Sequence, residues 1–184
     1  MKTEPQLQNA ISLLKADHDK VKELFEKFEK AGNSKGKIVS EAINELKIHA
    51  SVAEALFYPA LRQKMDDKDG LLDEADEEHH VAKVLIAELE KMTGNEDHWE
   101  AKFTVLSENI RHHIKEEEGE MFPRARKTNI DFQTLGEQMM EMKKRLKKNG
   151  VPPDAESKMI EKSGLRGDSP AKKAHKSLQV PLTS

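Results

Sequence analysis

"IHASVAEALFYPAL", residues 48–61, and "HHIKEEEGEMFPRA", residues 112–125, are two versions of one pattern. Each carries a histidine, an aromatic residue and a proline, and the proline falls ten residues after the histidine: His49 to Pro59, His113 to Pro123. Outward from these stretches a second pair aligns. "ADHDKVKELFEKFEK" (16–30) matches "EEHHVAKVLIAELEK" (77–91) and sets His18 over His79. The chain therefore reads as one helical hairpin used twice, an arrangement that centres a site between two related halves. One position breaks the register. Glu117 stands four residues after His113, whereas Ala53 stands four after His49 and the acid, Glu54, comes one place late.

Four long helical segments are expected, at about 6–31, 37–65, 71–92 and 97–127, separated by "GNSKG", "DDKDG" and "TGNED". Asp97 is the expected N-cap of the fourth. Short loops make sequential helices antiparallel, so the expected fold class is all-α: an up-down-up-down four-helix bundle with a short fifth helix and a disordered C-terminal tail. The expected bounds are 1–130 for the bundle, 131–149 for the accessory helix "DFQTLGEQMMEMKKRLKK" and its end, and 150–184 for a polar tail rich in Pro, Gly and Ser.

Apolar residues recur at steps of four and three, the seam of a helical bundle. The first helix places Leu14, His18, Val21 and Phe25 on this seam, and the second Leu46, His49, Ala53 and Leu56. The third places Ala75, His79, Ala82 and Ile86 there, and the fourth Ile110, His113, Glu117 and Met121. Each seam holds one histidine. The same register selects His79 over His80 and His113 over His112, because a neighbour lies about 100° round the helix.

Charged residues make up 35% of the 184, aromatics 4%, and the formal net charge is −3. That composition suits amphipathic helices and offers no overall attraction to nucleic acid. No cysteine is present, which excludes disulfides, thiolate metal ligands and a cysteine nucleophile and fits a reducing compartment. The start, "MKTEPQLQNA", lacks the apolar core of a signal peptide, and no apolar run approaches the length of a membrane span. The expected location is cytoplasmic, away from any membrane.

A lone histidine on an apolar stripe is ordinarily a hydrogen-bonded core residue. Four of them, one per helix, demand more. Burying an unpartnered imidazole costs roughly 1–3 kcal/mol, and burying the Glu117 carboxylate costs more unless something positive offsets it. No lysine or arginine lies on the seams within a turn of these residues. A divalent cation answers both demands, since neutral imidazoles and carboxylates are ligands that non-haem iron and its neighbours prefer. His113 and Glu117, at i and i+4, point to one spot.

The order "DHDKV", "H…E…FYP", "EEH", "H…EE…FP" resembles the hemerythrin-like HHE cation-binding domain over roughly residues 7–127. That resemblance implies a four-helix bundle holding one or two non-haem iron ions through inward histidines and bridging carboxylates. It implies His18, His49, His79, His113 and Glu117 as metal ligands. Where true hemerythrins have a further histidine in the third helix, this chain, like many bacterial relatives, lacks it and has Lys83, and where the first bridging glutamate would fall it has Ala53. Glu54 becomes the sixth candidate ligand if Pro59, which removes a backbone donor, induces a π-type turn that rotates it inward.

The expected role is to bind or sense dioxygen, nitric oxide or oxidative stress, or to buffer iron, with a small diatomic or peroxide as the second ligand. Two alternatives stay open: a metal-free structural bundle with the tail as a protein-partner arm, and a peroxide-consuming di-iron enzyme. The seams offer few proton donors, which favours binding over turnover. Tyr58 reads as a packing residue at a helix–helix contact before it reads as a donor to the site. "KKRLKK" (143–148) reads as a solvated helix end complementing the helix dipole. Met139, Met140 and Met142 read as flexible filler.

Overall fold

The computed structural model describes residues 9–32 and 34–163. Among them there are helices and no strand: α1 (Ala10–Lys30), α2 (Lys35–Val52), α3 (Tyr58–Lys64), α4 (Leu71–Leu89), α5 (Trp99–Glu116), α6 (Phe122–Ala125), α7 (Phe132–Asn149) and α8 (Ala155–Ser163). No helix is long and apolar enough to cross a membrane.

Two π-turns, π1 (Ala53–Phe57) and π2 (Glu117–Met121), join α2 to α3 and α5 to α6. Their cause is written in the repeat. Pro59 and Pro123 have no N–H to return to the carbonyl four residues back. The helix widens by one residue instead, with the Tyr58 N–H reaching the Ala53 carbonyl and the Phe122 N–H reaching the Glu117 carbonyl. The sequence suggests the first of these turns. The second occurs at the matching proline.

α1 packs along α2 and α4 along α5, and α7 lies across α1 and α2. The apolar seams form two clusters. One contains Leu14, Val52, Phe57, Leu72, Phe122 and Met139; the other contains Val21, Phe25, Leu46, Ile86, Phe103 and Ile110. On each long helix the inward histidine falls between residues of these two clusters, so a polar layer is sandwiched between greasy ones. Leu135 and Met139 of α7 join the first cluster, which is what docks the accessory helix. Asp131 caps α7, its Oδ1 accepting from the N–H groups of Gln133 and Thr134 at 3.1 and 3.0 Å.

Helix bounds differ from expectation: α1 begins at Ala10, with Asn9 as its cap, and α4 ends at Leu89. The cap position of α5 is His98, with a left-handed φ of 70°, and not Asp97. The stretch from 150 onward is not disordered where the structure describes it. Residues 151–154 run to α8, which packs on α4 and buries Ile160 at 4% exposure. A nine-residue helix with a single buried anchor leaves too little compositional trace to distinguish it from a polar tail. Residues 164–184 of the expected tail lie outside the described residues.

His49 and His79 stand at different distances from the α3–α4 connection. The offset is taken up by the loop between Lys64 and Leu71, whose six residues can span up to roughly 20 Å when extended. Arg124 holds that loop, donating to both Asp69 carboxylate oxygens and to the Asp66 carbonyl.

Candidate metal centre

The four seam histidines converge. Ring centroids are 5.0 Å apart for His18–His49, 6.0 Å for His49–His79 and 4.6 Å for His79–His113. All four are buried, as is Glu117 at 1% exposure, while His80 and His112 lie at the surface. Two sets of three ligand atoms, each within 4.8 Å of one another, overlap at His49: His49, His79 and His113 form one, and His18, His49 and Glu117 the other.

The orientation of each ring follows from what holds its outer nitrogen. His18 Nδ1 meets Glu118 at 2.9 Å, His79 Nδ1 meets Glu54 at 3.0 Å, and His113 Nδ1 meets Glu78 at 2.7 Å. His49 Nδ1 lies 3.6 Å from Asp17, a looser pairing. An ionised carboxylate only accepts, so the three close contacts place the ring proton on Nδ1 and leave the Nε2 lone pair facing inward. This is the outer-ring arrangement that fixes tautomer and raises ligand basicity in metal-binding histidines.

The inner atoms are accordingly frustrated. His79 Nε2 and His113 Nε2 face each other at 3.1 Å, two acceptors pointed at one place. His18 Nε2 lies 3.0 Å from Glu117 Oε2, and His18 Nε2, His49 Nε2 and Glu117 Oε2 are buried without a hydrogen-bond partner. A cation in either set would satisfy the atoms of that set. The donor set of imidazole nitrogen and carboxylate oxygen fits non-haem iron, and it equally admits other first-row divalent metals.

Protonation follows the same geometry. Burial lowers His79 to about 4 and also lowers His49, so both are neutral, ligand-ready imidazoles near neutral pH. Burial also acts to lower His113, but the Glu117 and Glu78 carboxylates outweigh it and the net shift is upward. Glu117 is held far below the ordinary carboxylate range: burial opposes ionisation, and the surrounding histidines, His113 foremost, overcome it. Among the described residues no lysine or arginine is paired with Glu117.

Glu54 does not join the inner atoms. π1 turns it toward the outside of His79, where Oε1 sits on Nδ1 and Oε2 accepts from Lys83 Nζ at 2.6 Å. Ala53 and Phe57 are the buried residues of that turn, both at 0% exposure. Lys83, at the place of the family's extra histidine, thus acts on the outer ring.

Tyr58 is more than packing. Its hydroxyl donates to Glu117 Oε1 at 2.9 Å and lies 3.4 Å from both His79 Nε2 and His113 Nε2. Burial, reinforced by Glu117, raises the phenol well above its usual value and keeps its proton in place. Sequence reasoning also missed Asp17, Glu78 and Glu118. The signal was present, because every one of them is adjacent in sequence to a seam histidine or to Glu117. Lys143 was assigned to a solvated cluster, yet it is buried and paired with Asp17. The remaining acidic–histidine group, Glu78, His112 and Glu116, lies at the surface beside the centre.

The model of the hemerythrin HHE cation-binding domain matches residues 9–125. In fold, the chain is similar to a hemerythrin HHE cation-binding domain-containing protein from Mycobacterium kansasii. That crystal structure superposes with a TM-score of 0.63 at 25% identity, covering 77% of this chain and 94% of the other. No curated protein sequence matches. The family match ends at the last residue of α6, so α7, residues 150–154 and α8 lie beyond it.

Proposed function

The chain belongs to the hemerythrin HHE cation-binding domain family, and on that premise we propose that it is a non-haem iron protein that binds or senses a small oxidant or diatomic gas. The ligands in this reading are His18, His49, His79, His113 and Glu117. When bound, iron supplies exchangeable coordination positions and redox chemistry toward dioxygen, nitric oxide or peroxide. The observation that carries the reading is the inward set: His18 Nε2, His49 Nε2 and Glu117 Oε2 are buried without a hydrogen-bond partner, and His79 Nε2 faces His113 Nε2, while three outer nitrogens are held by carboxylates.

The protein's own groups divide the work. Glu118, Glu54 and Glu78 fix three rings with Nε2 inward, so little reorganisation is needed when a metal enters. Glu117 shares one ligand set with His18 and His49, and its Oε2 lies 3.6 Å from His113 Nε2 of the other. Tyr58 comes from the half that lacks an inner carboxylate and directs its hydroxyl at Glu117 and the His79–His113 pair. It holds a proton there and would offer an oxygen donor beside the His79–His113 pair. Glu54 acts on His79 in this reading and is not itself a ligand.

Iron per chain, measured together with the absorption spectrum after iron loading, tests the reading. One or two irons bound by the native chain and lost in His113→Ala supports it. Wild-type protein that takes up no iron sinks it. A visible charge-transfer band that vanishes in Tyr58→Phe would place the phenol oxygen on the metal. The second reading, a peroxide-consuming enzyme, draws on the same hydroxyl as a proton source. Steady-state peroxide loss that falls in Tyr58→Phe at unchanged iron content separates it from binding alone.

A further inference from the structure

A cavity of about 240 Å³ begins at the four imidazoles and continues away from them. Its walls are Val21, Leu46, Ala82, Ile86, Ile110 and Ile114. They are arranged by rule: Val21 and Ala82 lie three residues after His18 and His79, and Leu46 and Ile110 lie three before His49 and His113. Since α1 runs opposite to α2 and α4 to α5, all four offsets lead one turn toward the same end of the bundle. The chamber is therefore polar at the metal end, aliphatic along its middle and edged by Lys47, Ser51, Glu54, Lys83 and Asp154.

The size exceeds what a gas ligand requires. A water molecule's share of liquid volume is about 30 Å³, and an aliphatic cavity of about 150 Å³ holds benzene. Charge argues for a neutral occupant. At the rim, Lys47 is held by Glu90 at 2.7 Å and Lys83 by Glu54 at 2.6 Å, so neither lysine is left to hold an anion, and the Asp154 carboxylate is engaged in capping α8.

The mouth is covered by chain from beyond the family match. α7 packs on α1 and α2, α8 packs on α4, and the segment between them crosses the cavity, contributing Val151, Pro152, Pro153 and Asp154 to its lining. Gly150 leaves α7 with φ 81°, the two prolines fix the backbone, and Asp154 caps α8 by accepting from the Ser157 N–H at 2.7 Å. His80 and Glu156, 2.8 Å apart, tie α8 to α4.

We propose that this chamber binds an uncharged, largely apolar molecule of about benzene's size or somewhat larger, held against the inner imidazoles beneath the 151–154 strap. Occupancy stands apart from the metal reading. Only its consequence, a guest or substrate presented to the metal, rests on that reading.

Benzene is the probe. Full-length protein, metal-free and iron-loaded, is titrated with it while thermal unfolding and intermolecular NOEs to the Ile86 and Ile110 methyls are recorded. The expected result is a saturable rise in Tm of a few degrees, by linkage, with NOEs to both residues. Ala82→Leu and, independently, Ile86→Phe fill the chamber and should abolish both signals while iron per chain is unchanged. No saturable shift in the wild type, or a shift that survives both filling variants, overturns the proposal. Benzene binding without iron uptake leaves the chamber standing and removes the metal reading; iron uptake without benzene binding does the reverse.

Discussion

Residues 10–64 and 71–125 are the two halves of the bundle, and their likeness extends to the site's outer ring. Asp17 faces His49 within the first half, as Glu78 faces His113 within the second. Glu54 reaches across to His79, as Glu118 reaches across to His18. Lys83 supports Glu54 and Lys22 approaches Glu118 at 3.6 Å. The inner ring is not symmetric. Ala53 stands opposite Glu117, and Tyr58 stands opposite Phe122, which stacks on His18. The half without an inner carboxylate carries a hydroxyl, and Tyr58 and Glu117 meet in one hydrogen bond. The consequence shows in the equivalent histidines. His49, beside Ala53, is lowered by burial, whereas His113, beside Glu117, is raised despite burial. Outer carboxylates orient rings and tolerate a two-fold repeat; the inner carboxylate decides how many charges the centre holds.

The comparison can be broken outright at its asymmetric position. Glu117→Ala leaves two inner methyl groups and no inner carboxylate, and iron per chain should fall to background. Ala53→Glu restores the symmetric pair and should raise iron per chain or tighten its retention against a chelator. An Ala53→Glu chain indistinguishable from wild type would show that the missing carboxylate is not what sets the metal count.

Acid is the next largest lever. In the metal-free protein His79 titrates at about 4, against 6.5 for the unfolded group. As pH falls from 6.5 toward 4 the unfolded chain gains a proton that the folded protein refuses, and stability drops by up to roughly 3 kcal/mol. The lowered Glu117 extends the loss to more acidic pH. His113, shifted upward, works in the opposite sense: its contribution is present at low pH and fades as pH rises through its folded value. Denaturant unfolding from pH 7 to 4 should show the net decline, and NMR titration should show His113 protonating at higher pH than its mate His49.

The outer ring gives a graded test. Losing an outer-shell partner typically costs 10–100-fold in metal affinity. Glu78→Gln, which disturbs a 2.7 Å contact, should cost more than Asp17→Asn, where the separation is 3.6 Å. Equal losses would mean that Lys143, by holding Asp17, makes the looser pair as effective as the tight one.

The smallest expected effect concerns the two open sides. The 151–154 strap crosses the gap between α2 and α4, while the related gap between α1 and α5 carries a surface ion pair, Arg111 to Glu29 at 2.6 Å. Ile160→Asp, which unseats α8, should speed iron removal by a chelator a few-fold at unchanged equilibrium affinity. Arg111→Ala should leave that rate as it was.

Much of this was legible in advance, and the particulars show why. The steps of three and four place His18, His49, His79 and His113 inside, because a side chain's face depends only on its position along its own helix. The paired prolines mark π1 for a similarly local reason. Lys143 shows the limit: among "KKRLKK" it looks like every other lysine, and only docking of α7 on α1 buries it beside Asp17. The expected inward rotation of Glu54 failed in the same way, since π1 aims it at a partner on another helix.

The sequence by itself determined the helices, their twofold repetition and the layer of imidazoles between two apolar clusters, all consequences of periodicity and of what burial costs a polar atom. Only the tertiary structure decided which nitrogen of each ring faces inward, which acid holds the other, and what covers the entrance. Those choices depend on partners as distant as His18 and Glu118, a hundred residues apart, and no local pattern records a distance across space.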